Sequence, residues 1–241
     1  MALKVLRSSL AQGSQVARFE REAEWLGRLH HPGIAQVYEA GVFELDGRRQ
    51  PYIAMEYVDG TDLLTHAARA GLDRRERVAL LARVCDAVEH AHSEGVLHRD
   101  LKPDNVLVDE RGQPKLLDFG IARALDDAGS GGGTLTADGQ ILGTVGYMAP
   151  EQFDARLGAL GPASDVYALG VMGYELLTGR RPVNLTGLGS SAILKAVADA
   201  DPPLASTADP ALRGDGDTML QKALERAPER RYAAASAFGA D

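Results

Sequence analysis

Cysteine is nearly absent from this chain of 241 residues, with Cys85 its only one. No intrachain disulfide can form, which excludes a disulfide-stapled scaffold and points to a reducing compartment. No apolar run approaches the length of about twenty residues that a membrane helix needs, and the first residues lack the apolar stretch of a signal peptide. A cytoplasmic segment is expected, either alone or as the cytoplasmic region of a longer, membrane-anchored protein. Positive charge is in deficit, since 26 Lys and Arg face 34 Asp and Glu for a net charge of -8. That balance argues against a nucleic-acid surface as the main function, although basic patches can still surround a phosphate site. Aromatic residues make up only 5%, but 45% of the chain is hydrophobic, enough for a full core and against disorder.

What is present centres on the octet His98-Arg99-Asp100-Leu101-Lys102-Pro103-Asp104-Asn105, followed by Asp118-Phe119-Gly120. Asp100 and Asn105 flank the start of a short apolar run, Val106-Leu107-Val108, and so share one tight loop. A second run, Lys115-Leu116-Leu117, leads into Asp118, and Asp109-Glu110-Arg111-Gly112 between the two runs is a turn signal. The predicted hairpin returns Asp118 to the side of Asn105. An amide oxygen and a carboxylate suit Mg²⁺, which keeps several waters and takes further ligands from phosphates. A nucleotide is the natural third party.

His-Arg-Asp-Leu with Asn105, then Asp-Phe-Gly at Asp118, then Ala149-Pro150-Glu151 resemble the signature set of eukaryotic-like (Hanks-type) serine/threonine protein kinases. The run from Gly143 to Gln152 resembles the bacterial branch. The resemblance implies an α+β, two-lobed fold: a truncated, β-rich N-lobe over residues 1–57 and a mainly helical C-lobe over 58–241. It implies ATP and Mg²⁺ as cofactors and protein Ser/Thr hydroxyls as acceptors. Asp100 would orient the acceptor hydroxyl and take its proton, and Lys102 would balance charge on the γ-phosphoryl group. Asn105 and Asp118 would hold the metal.

Met1 to Leu6 resembles the third N-lobe strand, with Lys4 as the lysine that grips the α- and β-phosphates. None of the 27 glycines forms the expected phosphate-covering loop ahead of it, so two strands are expected to be missing from the start and the fragment to be weakly active. Phe19, Ala23, Leu26 and Leu29 recur at helical spacing, and the matched pattern selects Glu22 on that helix as the partner of Lys4. Two strand-like runs, 34–43 and 51–57, read as a hairpin. After them Met55 would border the adenine pocket, with the backbone of Glu56-Tyr57-Val58 bonding the base.

Arg99 beside the catalytic aspartate implies regulation, because a guanidinium pairs bidentately with phosphate. Thr134 and Thr136 are the expected phosphorylation sites, and Thr144 the expected partner of Asp100 and Lys102. His98 is expected to shape the loop rather than move protons. Asp165, within a helix apolar on nearly every face, would cap the His-Arg-Asp turn, with Ser164 near the helix N-cap. Glu151 would pair with Arg231. His90 and His92, roughly 200° apart on their helix, cannot share one ion and read as structural. A pseudokinase scaffold is the alternative, and the joint presence of Lys4, Glu22, Asp100, Lys102, Asn105 and Asp118 speaks against it. A small-molecule phosphotransferase of related fold should lack both Lys102 and Ala149-Pro150-Glu151. Substrates would be proteins, with a dimer for autophosphorylation in trans.

Overall fold

Along β1 (Ala2–Val5) exposure alternates, with Leu3 and Val5 outward and Ala2 and Lys4 inward, as one face of a strand packed on a core requires. The structure, a computed structural model, describes residues 1–6, 13–45, 48–120, 144–199 and 201–241. β1 pairs antiparallel with β3 (Arg48–Met55), which pairs in turn with β2 (Val37–Leu45), giving the order β1-β3-β2. Lys4 lies opposite Ile53. Helix α1 (Gly13–Gly27) buries Val16, Phe19, Ala23 and Leu26 against this sheet. Burying each Leu-sized side chain contributes about 1.5–3 kcal/mol.

The chain after α1 fastens the first sheet to a second. Ala35 N–H donates to the Leu116 carbonyl at 2.9 Å, and Leu116 N–H donates to the Gly33 carbonyl at 2.8 Å. The second sheet has the order β4-β5-β6, from β4 (Gly60–Asp62), β5 (Val106–Asp109) and β6 (Pro114–Leu116). β5 and β6 are the hairpin expected from the sequence, with Leu107 opposite Lys115. Gly60 is required there, because a Cβ would lie 2.4 Å from the Val108 carbonyl oxygen.

The remaining core is helical. Asp62 caps α2 (Leu63–Arg69), accepting from Thr65 N–H at 2.9 Å. A reciprocal pair between Asp73 and Glu76 starts α3 (Arg74–Ser93). The buried face of α3 is wider than a single stripe, since Leu80, Leu81, Val84, Cys85, Ala87, Val88 and Ala91 are all enclosed. Burial pushes the Cys85 thiol up to about 12, so it is inert at neutral pH. Helix α4 (Pro162–Thr178) is buried continuously from Ser164 to Tyr174, and Gly179 ends it in the left-handed conformation. Ser164 lies near the N-cap, as the sequence indicates: Pro162 takes the first helical position, and Ser164 Oγ accepts from the N–H of the cap residue, Gly161, at 3.3 Å. Helices α5 (Ser190–Ala198), α6 (Asp215–Ala223) and α7 (Ala235–Ala240) follow. α7 packs on α3, where Gly239 lets the backbones approach beside Cys85.

Candidate active site

The loop after α3 is held from below by one buried carboxylate. Asp165 of α4 accepts from His98 N–H at 2.8 Å, from Arg99 N–H at 2.9 Å and from His92 Nε2 at 2.8 Å. Those bonds hold Arg99 at φ 62, a left-handed conformation that a non-glycine residue adopts only when its surroundings enforce it. The buried His98 ring donates through Nε2 to the Leu117 carbonyl at 2.9 Å and packs at a tilt against the Phe119 ring, centroids 4.6 Å apart. Burial pulls its pKa below the usual imidazole value, although Asp165 and Asp100 oppose the shift, and the ring stays neutral. His98 therefore ties the loop to the strand leading into Asp118 and is not placed as a proton carrier.

On the upper side of the loop the polar groups converge. Asn105 Nδ2 donates to the Asp100 carbonyl at 2.8 Å and to Asp100 Oδ2 at 3.0 Å. With its amide hydrogens spent there, Asn105 turns Oδ1 away from Asp100. Lys102 Nζ lies 3.5 Å from Asp100 Oδ2 and donates to Thr144 Oγ1 at 3.0 Å. Leu117 N–H donates to the Asn105 carbonyl at 2.8 Å, which sets Asp118 beside this cluster. Asp118, at φ 53, turns its carboxylate to Lys4 Nζ, 2.7 Å away. Lys4, Met55, Asp100, Asp118 and Phe119 line one cavity of about 150 Å³ between the two sheets.

Among the described residues no group of three or more His, Cys, Asp or Glu side chains can hold a metal by itself. The pair Asn105 and Asp118 fits Mg²⁺ on donor chemistry, as hard oxygens that leave most positions to water and phosphate. A carboxylate beside a lysine, with two side chains that offer hard oxygen ligands alongside, can activate a hydroxyl toward a phosphoryl group.

Comparison with known proteins agrees. A family model described as protein kinase domain matches residues 1–240. The chain belongs to the protein kinase family. The serine/threonine-protein kinase PknB of Mycobacterium tuberculosis is 38% identical over 243 residues, covering 100% of this chain and 38% of the relative. A probable serine/threonine-protein kinase of Streptomyces coelicolor is 38% identical over 244 residues, covering 100% of this chain and 35% of the relative. A probable PknB of Bifidobacterium longum is similar at 38% over 253 residues. The chain thus spans 35% to 38% of the length of these curated relatives. Its fold is the α+β architecture of protein kinases.

One kinase-like pairing expected from the sequence is corrected. Lys4 pairs with Asp118 rather than Glu22. The inner face of β1 aims Lys4 at the cavity that Asp118 also lines, while Glu22 faces a separate hollow with Trp25, Leu26, Arg99 and Phe119. Thr134 and Thr136, expected to be phosphorylated, lie outside the described residues, as does the glycine tract before them. Glu151 and Arg231 meet as a fork, Oε1 to Nη1 at 2.7 Å and Oε2 to Nη2 at 2.8 Å, and both side chains are 0% exposed. Ser164 Oγ donates to the same Glu151 Oε1 at 2.7 Å.

Met55 lines the cavity, and Glu56, Tyr57 and Val58, which follow it, line a separate hollow to which the Glu56 side chain turns. Its carboxylate pairs with Lys115 at 2.9 Å. Sequence reading assigned Glu56 only a backbone role and gave Lys115 and Gln36 none. It also treated His92 as structural without finding its partner, Asp165. No periodicity marks such contacts between distant residues.

Proposed function

We propose that this chain is the catalytic region of a protein serine/threonine kinase, transferring the γ-phosphoryl group of ATP to Ser or Thr hydroxyls of proteins. The convergence of Asp100, Lys102 and Asn105 in one loop, with Asp118 returned beside them, carries this reading. Asp100 orients the acceptor hydroxyl and takes its proton, with Asn105 holding its carboxylate. Lys102, steadied by Thr144, supplies positive charge where the transferred group gains negative charge. Lys4 binds the α- and β-phosphates, and the hinge backbone from Glu56 to Val58 binds the base beside Met55. Asn105 and Asp118 hold Mg²⁺, which when bound neutralises phosphate charge. The transition state of such transfers is loose, so positioning and electrostatics carry most of the rate.

The lobe boundary is placed between residues 57 and 58, supported by β4 joining the second sheet from Gly60 onward. Arg99 receives phosphate carried on Thr134 or Thr136, added in trans by a second copy. The segment is assigned to the cytoplasm. Among the described residues no helix is long and apolar enough to cross a membrane. No observation favours the pseudokinase alternative.

Calorimetric titration with ATP tests the site. Mg²⁺ should tighten ATP binding to the natural protein, and Asp118→Asn should reduce that gain by about tenfold or more. Equal affinity with and without Mg²⁺ in the unmodified protein would remove Asn105 and Asp118 from the metal role.

A further inference from the structure

We propose that Gln36, Glu56 and Lys115 form a positioning latch that fixes the hinge against the strand leading to Asp118. The proposal deepens the kinase reading above and rests on it, because that reading assigns the hinge to the adenine base.

The latch is built from both sides of the hinge. Lys115 Nζ lies 2.9 Å from each oxygen of the Glu56 carboxylate, and the two side chains are 17% and 28% exposed. Glu56 Oε2 also accepts from Gln36 N–H at 3.2 Å, while Glu56 N–H donates to the Gln36 carbonyl at 2.8 Å. Gln36 and Glu56 are thus bonded in both directions, and Lys115 holds the carboxylate that makes the second direction possible. The Gln36 side chain extends the chain of contacts to the end of α1. Its Nε2 donates to the Gly27 carbonyl at 3.1 Å and the Val37 carbonyl at 3.0 Å. Two carbonyls at that nitrogen fix the orientation of the amide, so Oε1 is the acceptor facing His30 Nδ1, 2.7 Å away, and Nδ1 carries the hydrogen.

Three elements distant in sequence are joined in this way: the end of α1, the hinge, and β6, which runs on to Asp118. Glu56 and Lys115 line a hollow of about 270 Å³ with Tyr57 and Val58, separate from the cavity that holds Lys4 and Asp118. They do not touch the nucleotide side. Their effect reaches the site through the hinge backbone, whose groups must face the base at a fixed distance from the metal-binding aspartate. Without Lys115 the half-buried Glu56 carboxylate keeps only the Gln36 N–H, and it gains more by turning to water. The hinge then loses one of its two bonds to Gln36.

Lys115→Ala and Lys115→Arg in the full chain test this with two readouts. In hydrogen exchange on the nucleotide-free protein, the amides of Gln36 and Glu56 should exchange about tenfold faster in Lys115→Ala, and Lys115→Arg should restore protection. In steady-state transfer to a serine peptide, Lys115→Ala should raise KM for MgATP about fivefold while kcat stays within about twofold. Unchanged exchange at both amides overturns the latch, as does a fall in kcat at constant KM. A rise in kcat overturns it too, because the pair would then restrain turnover. An unmodified protein that neither binds nucleotide nor transfers phosphate counts against the kinase reading, and the exchange comparison still decides the latch.

Discussion

Asp100→Asn should lower kcat for phosphoryl transfer by about a thousandfold while leaving KM for ATP and the melting temperature close to those of the natural protein. The substitution preserves shape. Asp100 Oδ2 accepts from Asn105 Nδ2 at 3.0 Å, and an asparagine can present its own Oδ1 to the same donor. The backbone carbonyl of Asp100, which takes the other Asn105 bond at 2.8 Å, is untouched. What disappears is a negative oxygen able to take a proton, together with the charge facing Lys102 Nζ at 3.5 Å. Turnover should suffer far more than binding, since the lost interaction is one made as the hydroxyl gives up its proton. A kcat within about tenfold of the natural value would remove Asp100 from the role of base.

The second large effect is on stability. Arg231→Ala should destabilise the fold by about 3–5 kcal/mol, because it strands a carboxylate that is 0% exposed. That is a large share of a total stability of about 5–15 kcal/mol. Arg231 also donates to the carbonyls of Glu225, Ala163 and Arg226, and it stacks over the Tyr167 ring at 4.9 Å, so its loss frees several groups at once. The urea midpoint should fall steeply with little change in the slope. Glu151 adds a pH signature. Burial by itself would raise its pKa, but the hydrogen bonds from Arg231 and Ser164 outweigh burial and hold it below the ordinary value of 4.5. A depressed folded-state pKa contributes stability that is complete above the unfolded value and is lost as pH falls through the folded one. The natural protein should therefore lose this contribution only below about pH 4.5, and Arg231→Ala should lack it at neutral pH already. A midpoint unchanged by the substitution would mean that the pair is replaceable by water.

The parts of the fold and site visible in the sequence are those governed by short spacing. The hairpin of β5 and β6 follows from two apolar runs around Asp109 to Gly112, and it brings Asp118 back toward Asn105. The helical recurrence of Phe19, Ala23 and Leu26 marks α1, and the apolar run from Ser164 to Leu177 marks the buried α4. The Glu151–Arg231 pair and the Asp165 cap came from family resemblance, since no local pattern connects residues so far apart.

What escaped has a common cause. Lys4 has a long, flexible stem, and which carboxylate it reaches depends on the backbone angle of Asp118 and on the face that α1 presents. Neither is encoded in spacing. Ser164 lies near the cap as its sequence context indicates, but its bond to Glu151 joins residues that no local spacing connects. Lys115 and Glu56 sit in ordinary strand patterns far apart in sequence, and the bonds of Gly33 and Ala35 to Leu116 hold their segments side by side.

Transfer of radiolabelled γ-phosphate from ATP with Mg²⁺ to the protein itself and to a serine peptide, followed by mapping of the labelled residues, tests the central claim most directly. The kinase reading predicts label on Ser or Thr, with Thr134 or Thr136 among the sites, and its loss in Asp100→Asn. No label in a folded natural protein, or equal label in Asp100→Asn, would contradict it.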